Sequence, residues 1–134
     1  MSGRFLLDTN IIIALFGNDA SVKNRLVHAD EVFISSTVLG ELYFGAQKSK
    51  HIKKNLSRIE DFASRSAVLP CDTDTARFYG LIKKRLLEKG QPIPENDIWV
   101  AAVACQHGLI VVSRDGHFNA VENLKFETSR PMPL

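Results

Sequence analysis

Four acidic residues stand where a carboxylate can do chemistry: Asp8, Glu41, Asp97 and Asp115. Asp8 ends the apolar run Phe5-Leu6-Leu7, and Asp97 heads the apolar run Ile98 to Cys105. Glu41 borders an apolar helix face, and Asp115 follows the run Leu109 to Ser113. Carboxylates brought together repel and hold protons through raised pKa values unless a cation removes the problem. An all-carboxylate set with no Cys or His at matching positions selects hard ions, Mg²⁺ with Mn²⁺ as the second choice. The chemistry that needs such a site is phosphodiester hydrolysis. There the metal lowers the pKa of the attacking water, orients it, and stabilises charge on the leaving oxygen, so no protein nucleophile is required. Asn10, Asn96 and Ser113 neighbour the acids and are placed to hold carboxylates or waters. Three of the acids also have a plainer reading: Glu41 as an exposed helix residue, Asp97 with Asn96 as caps, Asp115-Gly116 as a turn.

The elements that must position these residues follow from the apolar patterning. Arg4 to Leu7 reads as a buried strand, followed by a short, fully buried helix, Ile11 to Phe16, capped by Thr9 or Asn10. A second helix runs from Ala20 to about His28 behind Asp19. Glu31 to Ser36 is the second strand, and Thr37 to about Lys48 a helix with Glu41 in its second turn. A basic stretch, Gln47 to Arg58, leads into a helix with Ile52, Leu56, Ile59 and Phe62 inward; a solvated face and a phosphate-contacting one both fit its charges. Ser66 to Cys71 is the third strand, and Asp72 or Thr73 caps a long helix to Lys89 with Thr75, Tyr79, Ile82 and Leu86 on one stripe. After the rigid loop Gln91-Pro92-Ile93-Pro94, a buried helix runs to Gln106-His107-Gly108, with Trp99 read as core rather than as a base-stacking surface. Leu109 to Ser113 and Leu124 to Glu127 are the fourth and fifth strands, and the Pro131-Met132-Pro133 tail reads as irregular.

Strands alternating with helices imply an α/β fold with a mainly parallel sheet of about five strands and right-handed crossovers. In that architecture strand C-termini and helix N-termini share one edge, and all four acids fall on it. With strands one and four adjacent at the switch point, the carboxylates converge in one crevice.

Length and composition agree with a single domain over residues 1–134. A chain of 134 residues buries roughly two thirds of its unfolded surface. Hydrophobic content of 45% and charged content of 24% exclude a disordered chain. No apolar run approaches the ~20 residues of a membrane span, and the start lacks signal-peptide architecture, so a cytoplasmic protein is expected. Cys71 and Cys105 lie far apart without metal-ligand spacing and read as two reduced, half-buried thiols. Net charge is +2, but setting the four acids aside from the 15 leaves 11 acidic side chains against 17 Lys and Arg. A basic surface around an acidic pocket suits a polyanion whose scissile phosphate meets metal ions.

Four segments in this order, Leu7-Asp8-Thr9-Asn10, Ser36-Thr37-Val38-Leu39-Gly40-Glu41-Leu42, Asn96-Asp97-Ile98-Trp99-Val100-Ala101-Ala102 and Val112-Ser113-Arg114-Asp115-Gly116-His117-Phe118, carry a family resemblance. The chain resembles the PIN-domain ribonucleases, and specifically the VapC-type toxins of toxin–antitoxin pairs, over essentially its whole length. The resemblance implies a three-layer α/β/α PIN-like domain. It places the family's metal-binding acids on Asp8, Glu41, Asp97 and Asp115, and its hydroxyl two residues before the last acid on Ser113. It further implies a metal-dependent endoribonuclease acting on RNA such as transfer or ribosomal RNA, a homodimer, and a cognate antitoxin whose peptide presents Arg to the acidic pocket. The alternative is a catalytically silent RNA- or protein-binding module of the same fold. A phosphoacceptor or phosphatase using Asp8 as nucleophile is discouraged by the lack of a D-x-D pair after strand one.

Overall fold

The computed structural model describes residues 3–128. The tail around Pro131, expected to be irregular, lies outside the described residues. Five strands, β1 (Arg4–Leu7), β2 (Glu31–Ser35), β3 (Ala67–Leu69), β4 (Ile110–Ser113) and β5 (Lys125–Thr128), form one sheet in the order β3-β2-β1-β4-β5, every pair parallel. Six helices connect them: α1 (Thr9–Phe16), α2 (Ala20–Val27), α3 (Ser36–Gln47), α4 (Ile52–Ser64), α5 (Thr73–Glu88) and α6 (Glu95–His107). The architecture is three-layered, α/β/α. A 3₁₀ turn, Gly116–Ala120, sits between β4 and β5.

Strand β1 is central because it is apolar throughout its buried part: Phe5, Leu6 and Leu7 are fully inaccessible. Such a strand can be covered on both faces, which a parallel sheet requires. The chain leaves β1 outward to β2 and β3 and then returns to place β4 on the other side of β1, pairing Leu7 with Val112. That reversal opens a crevice at the C-terminal tips of β1 and β4, where Asp8 and Ser113 emerge. Helix α6 is buried along most of its length, with Ile98 and Val100 to Ala104 in the core, and its αL stop at Gly108 (φ 64°) returns the chain to the sheet.

Several local details depart from the sequence reading. Helix α1 is capped by Asp8 itself, which accepts from the Thr9 amide, and not by Thr9 or Asn10. That helix is not buried all round: Ile11, Ile12 and Ala14 face the core, whereas Ile13 is 57% exposed. An eight-residue helix lying on a sheet has an outer side whatever its composition. Along α4 Ile59 is buried and Leu56 and Phe62 pack partly buried against the core as expected, but Ile52, at the helix start, is exposed. Cys105 is half-buried as expected but Cys71 is exposed, because β3 is the edge strand and its tip runs into solvent. Trp99 is half-buried and stacks on Tyr79 with ring centroids 4.1 Å apart. Among the described residues no helix is long and apolar enough to cross a membrane.

Candidate active site

A cleft of about 260 Å³ opens at the β1/β4 switch point, lined by Asp8, Thr9, Asn10, Ile13, Glu41, Pro94, Asn96, Asp97 and Asp115. The four acids singled out from the sequence all face it. Asp8 arrives from the tip of β1, Glu41 from the second turn of α3, Asp97 from the first turn of α6, and Asp115 from the residue that caps the 3₁₀ turn after β4. Among the described residues neither Lys nor Arg lines the cleft.

Asp8 is fixed by bonds at both oxygens. The Thr9 amide donates to Oδ1 at 2.9 Å and the Ser113 hydroxyl to Oδ2 at 2.7 Å. Ser113 Oγ in turn accepts from the Asn10 side-chain amide at 3.2 Å and from the Asp115 backbone amide at 3.0 Å. Asn10 Oδ1 closes the circuit by accepting from the Arg114 amide at 3.0 Å. Asn10 and Ser113 therefore lock the tips of β1 and β4 together and hold one acid in a single orientation. Asn96 does the same for a second acid, donating to Glu41 Oε2 at 3.0 Å.

Asp97 decides between the capping and the site reading of its segment. Helix α6 begins behind Pro94, and no side chain caps its amides. Asp97 is 5% exposed and directs its carboxylate into the cleft instead, where Oδ2 lies 3.0 Å from His117 Nδ1. The same imidazole nitrogen lies 2.9 Å from Asp115 Oδ2.

The electrostatics express crowding. Burial pushes the Asp8 carboxyl above its ordinary range against the pull of the Ser113 and Thr9 bonds, and the Asp115 charge adds to the rise. Glu41 is raised by burial and by the Asp8 and Asp97 charges, while Thr9 and Asn96 pull it down. Asp97 is raised by burial first and then by Asp8 and Asp115, with the His117 contact opposing. Those contacts hold the imidazole of His117 above its usual range, the Asp97 bond most. Three carboxyls disfavoured in their charged form, in a cleft lined by no Lys or Arg among the described residues, are a donor set that fits a divalent cation.

The family model for the PIN domain matches residues 5–124 of this sequence. The chain belongs to the PIN-domain family. This PIN domain is 39% identical over 127 residues to the tRNA(fMet)-specific endonuclease VapC of Shigella flexneri, covering 92% of this chain and 96% of that one. It is 39% identical over 114 residues to Ribonuclease VapC2 of Haemophilus influenzae, covering 84% and 86%. Among solved structures it is similar to the DNA-bound VapBC complex of Salmonella typhimurium, with TM-score 0.87, 33% identity, and coverage of 95% of this chain and 98% of that one. It is also similar to the VapBC2 complex of Rickettsia felis bound to a promoter DNA fragment, with TM-score 0.85, 30% identity, and coverage of 97% and 100%.

One member of the cluster was missed from the sequence. His117, which was not singled out as a site residue, places its Nδ1 between Asp97 and Asp115, beside the four expected acids. The signal available was slight: a histidine two residues after an acid, in a segment with no periodicity. Asp115 accepts from the His117 amide at 2.9 Å, and this tight turn swings the imidazole back over the strand tip.

Proposed function

We propose that this PIN domain is a metal-dependent endoribonuclease and the toxin of a toxin–antitoxin pair, acting as a single domain. The observation that carries the reading is the convergence of Asp8, Glu41, Asp97 and Asp115 on one cleft in which burial raises three of them. The names of the relatives support it: ribonuclease and tRNA(fMet)-specific endonuclease, with solved neighbours that include VapBC complexes. RNA is the substrate class, with transfer RNA ahead of ribosomal RNA on the strength of the Shigella relative. A cognate antitoxin and a second copy of the chain are the expected protein partners.

Asp8, Asp97, Glu41 and Asp115 would hold Mg²⁺ or Mn²⁺, with Asp8 and Asp97 the principal ligands because they are the most buried. When bound, such an ion supplies water activation and charge stabilisation at a phosphodiester. The chain's own residues do the rest. Ser113 and Asn10 orient Asp8, Asn96 orients Glu41, and the rigid tips of β1 and β4 keep the acids in place as the substrate enters. The excess of Lys and Arg outside the cleft draws a polyanion toward it.

The test is cleavage of total RNA by the purified chain with Mg²⁺, Mn²⁺ or EDTA, beside Asp8→Asn and Asp97→Asn prepared identically. Discrete fragments that require metal and vanish in both variants are expected. Equal activity in all three proteins means a contaminating nuclease. A folded, metal-loaded wild type that binds RNA without turnover favours the silent binding module.

A further inference from the structure

We propose that His117 is itself a ligand of the divalent cation, turning an oxygen-only PIN site into a mixed nitrogen–oxygen one that favours Mn²⁺ and its transition-metal neighbours over Mg²⁺. The proposal rests on the metal-nuclease reading above and refines its ion. Its basis is geometric. One ligand atom from each of Asp97, Asp115 and His117 falls in a group whose members all lie within 4.8 Å of one another. His117 Nδ1 stands 3.0 Å from Asp97 Oδ2 and 2.9 Å from Asp115 Oδ2. Adjacent ligands of an octahedral ion with bonds of about 2.1 Å are separated by roughly 3 Å, so these separations suit two neighbouring positions around one centre. The two carboxylates come from different elements, α6 and the turn after β4, so the imidazole bridges the two sides of the cleft.

The chemistry of the donors gives the consequence. Carboxylate oxygens serve Mg²⁺ and Mn²⁺ alike, whereas imidazole nitrogen suits borderline transition ions and adds little for Mg²⁺. Asp97 is nearly inaccessible, but His117 is half-exposed, with 48% of its side chain open. The ring is therefore free of core packing and replaceable without loss of the fold. Of the histidines only His117 belongs to the group with Asp97 and Asp115 among the described residues, so a nitrogen signal from an ion bound there has a single imidazole source.

The experiment uses the full chain loaded with Mn²⁺ and electron spin-echo envelope modulation, at a pH above the ordinary imidazole range. Wild type is expected to show the coupling of a directly bound nitrogen, altered by ¹⁵N-histidine labelling and lost in His117→Gln. Calorimetric titration should show Mn²⁺ affinity about tenfold weaker in H117Q, with Mg²⁺ affinity changed by less than about threefold. H117A, with thermal unfolding as the check on its fold, should repeat the Mn²⁺ loss. Mn²⁺ bound with oxygen couplings alone, or equal weakening of both ions, overturns the assignment and leaves the nuclease reading intact. A folded wild type that binds no divalent ion overturns both.

Discussion

Asp8 and Asp72 occupy equivalent places and behave in opposite ways. Each leads from a strand of the same parallel sheet into a helix, β1 into α1 and β3 into α5, and each caps that helix with its own carboxylate. Asp72 is exposed and enclosed in bonds: Oδ1 accepts from the Thr75 amide, the Thr75 hydroxyl and the Gln106 side-chain amide, each at 3.0 Å. Those bonds hold its carboxyl below the ordinary range. Asp8 also accepts two short bonds, yet burial and a neighbouring acid leave it raised. Position at the sheet edge does not separate a capping acid from a site acid. What separates them is whether the surroundings already stabilise the negative charge.

The contrast can be broken most severely by activity. Asp8→Asn and Asp97→Asn should each lower RNA cleavage by at least about 10²–10³-fold, whereas Asp72→Asn should leave it within about threefold, since Asp72 is not among the residues lining the cleft. Comparable losses at all three positions, measured as initial rates on one RNA at saturating Mg²⁺ and Mn²⁺, would erase the distinction. A smaller effect sharpens it. Asn96→Ala removes the side-chain amide that donates to Glu41 Oε2 and should lower activity or metal affinity by about tenfold. Stability should run the other way from activity. Asp72→Ala loses a capping box and should lower the unfolding midpoint by several degrees, with cleavage at permissive temperature retained.

The pH dependence of the metal-free protein is the finest of these tests. Asp8, Glu41 and Asp97 are raised in the fold, so between neutrality and the ordinary carboxylate range the folded chain binds more protons than the unfolded one. His117, also raised, has the same sign: its stabilising contribution is present below the imidazole range and lost as pH rises through its folded value. Stability without metal should therefore rise as pH is lowered from neutral toward about 5. Asp19 and Asp72, both lowered, work oppositely, and their contribution disappears only at lower pH as their depressed values are crossed. Bound Mg²⁺ should flatten the upper part of this profile, because the cation replaces the protons. A metal-free midpoint that falls steadily from neutral pH would remove the crowding argument. Thermal unfolding across that range, with and without Mg²⁺, checks it.

Much of this was legible in the sequence, for reasons that differ between elements. The apolar runs Phe5 to Leu7 of β1 and Ile98 to Cys105 of α6 had to be buried, so the acids at their ends had to lie at the sheet edge, and the parallel topology followed from alternation. What remained hidden depended on side-chain placement across long separations. That Asp97 does not cap α6 follows from Pro94 taking the N-terminal position, and spacing alone left both options open. The contact of His117 with Asp97 spans twenty residues and a crossover, and no local pattern encodes it. The exposure of Ile13 and of Cys71 reflects the outer side of a short helix and the tip of an edge strand, both set by assembly of the sheet.

On the proposed function, the cleft acids oppose one another in the fold alone and a cation reconciles them. The most direct measurement is the thermal midpoint of wild type and Asp97→Asn at neutral pH, each with EDTA and with Mn²⁺. The variant should be at least as stable as wild type in EDTA, and Mn²⁺ should raise the midpoint of wild type but not of the variant. A variant that is less stable in EDTA yet keeps the full Mn²⁺ response would make Asp97 a structural residue and contradict the account.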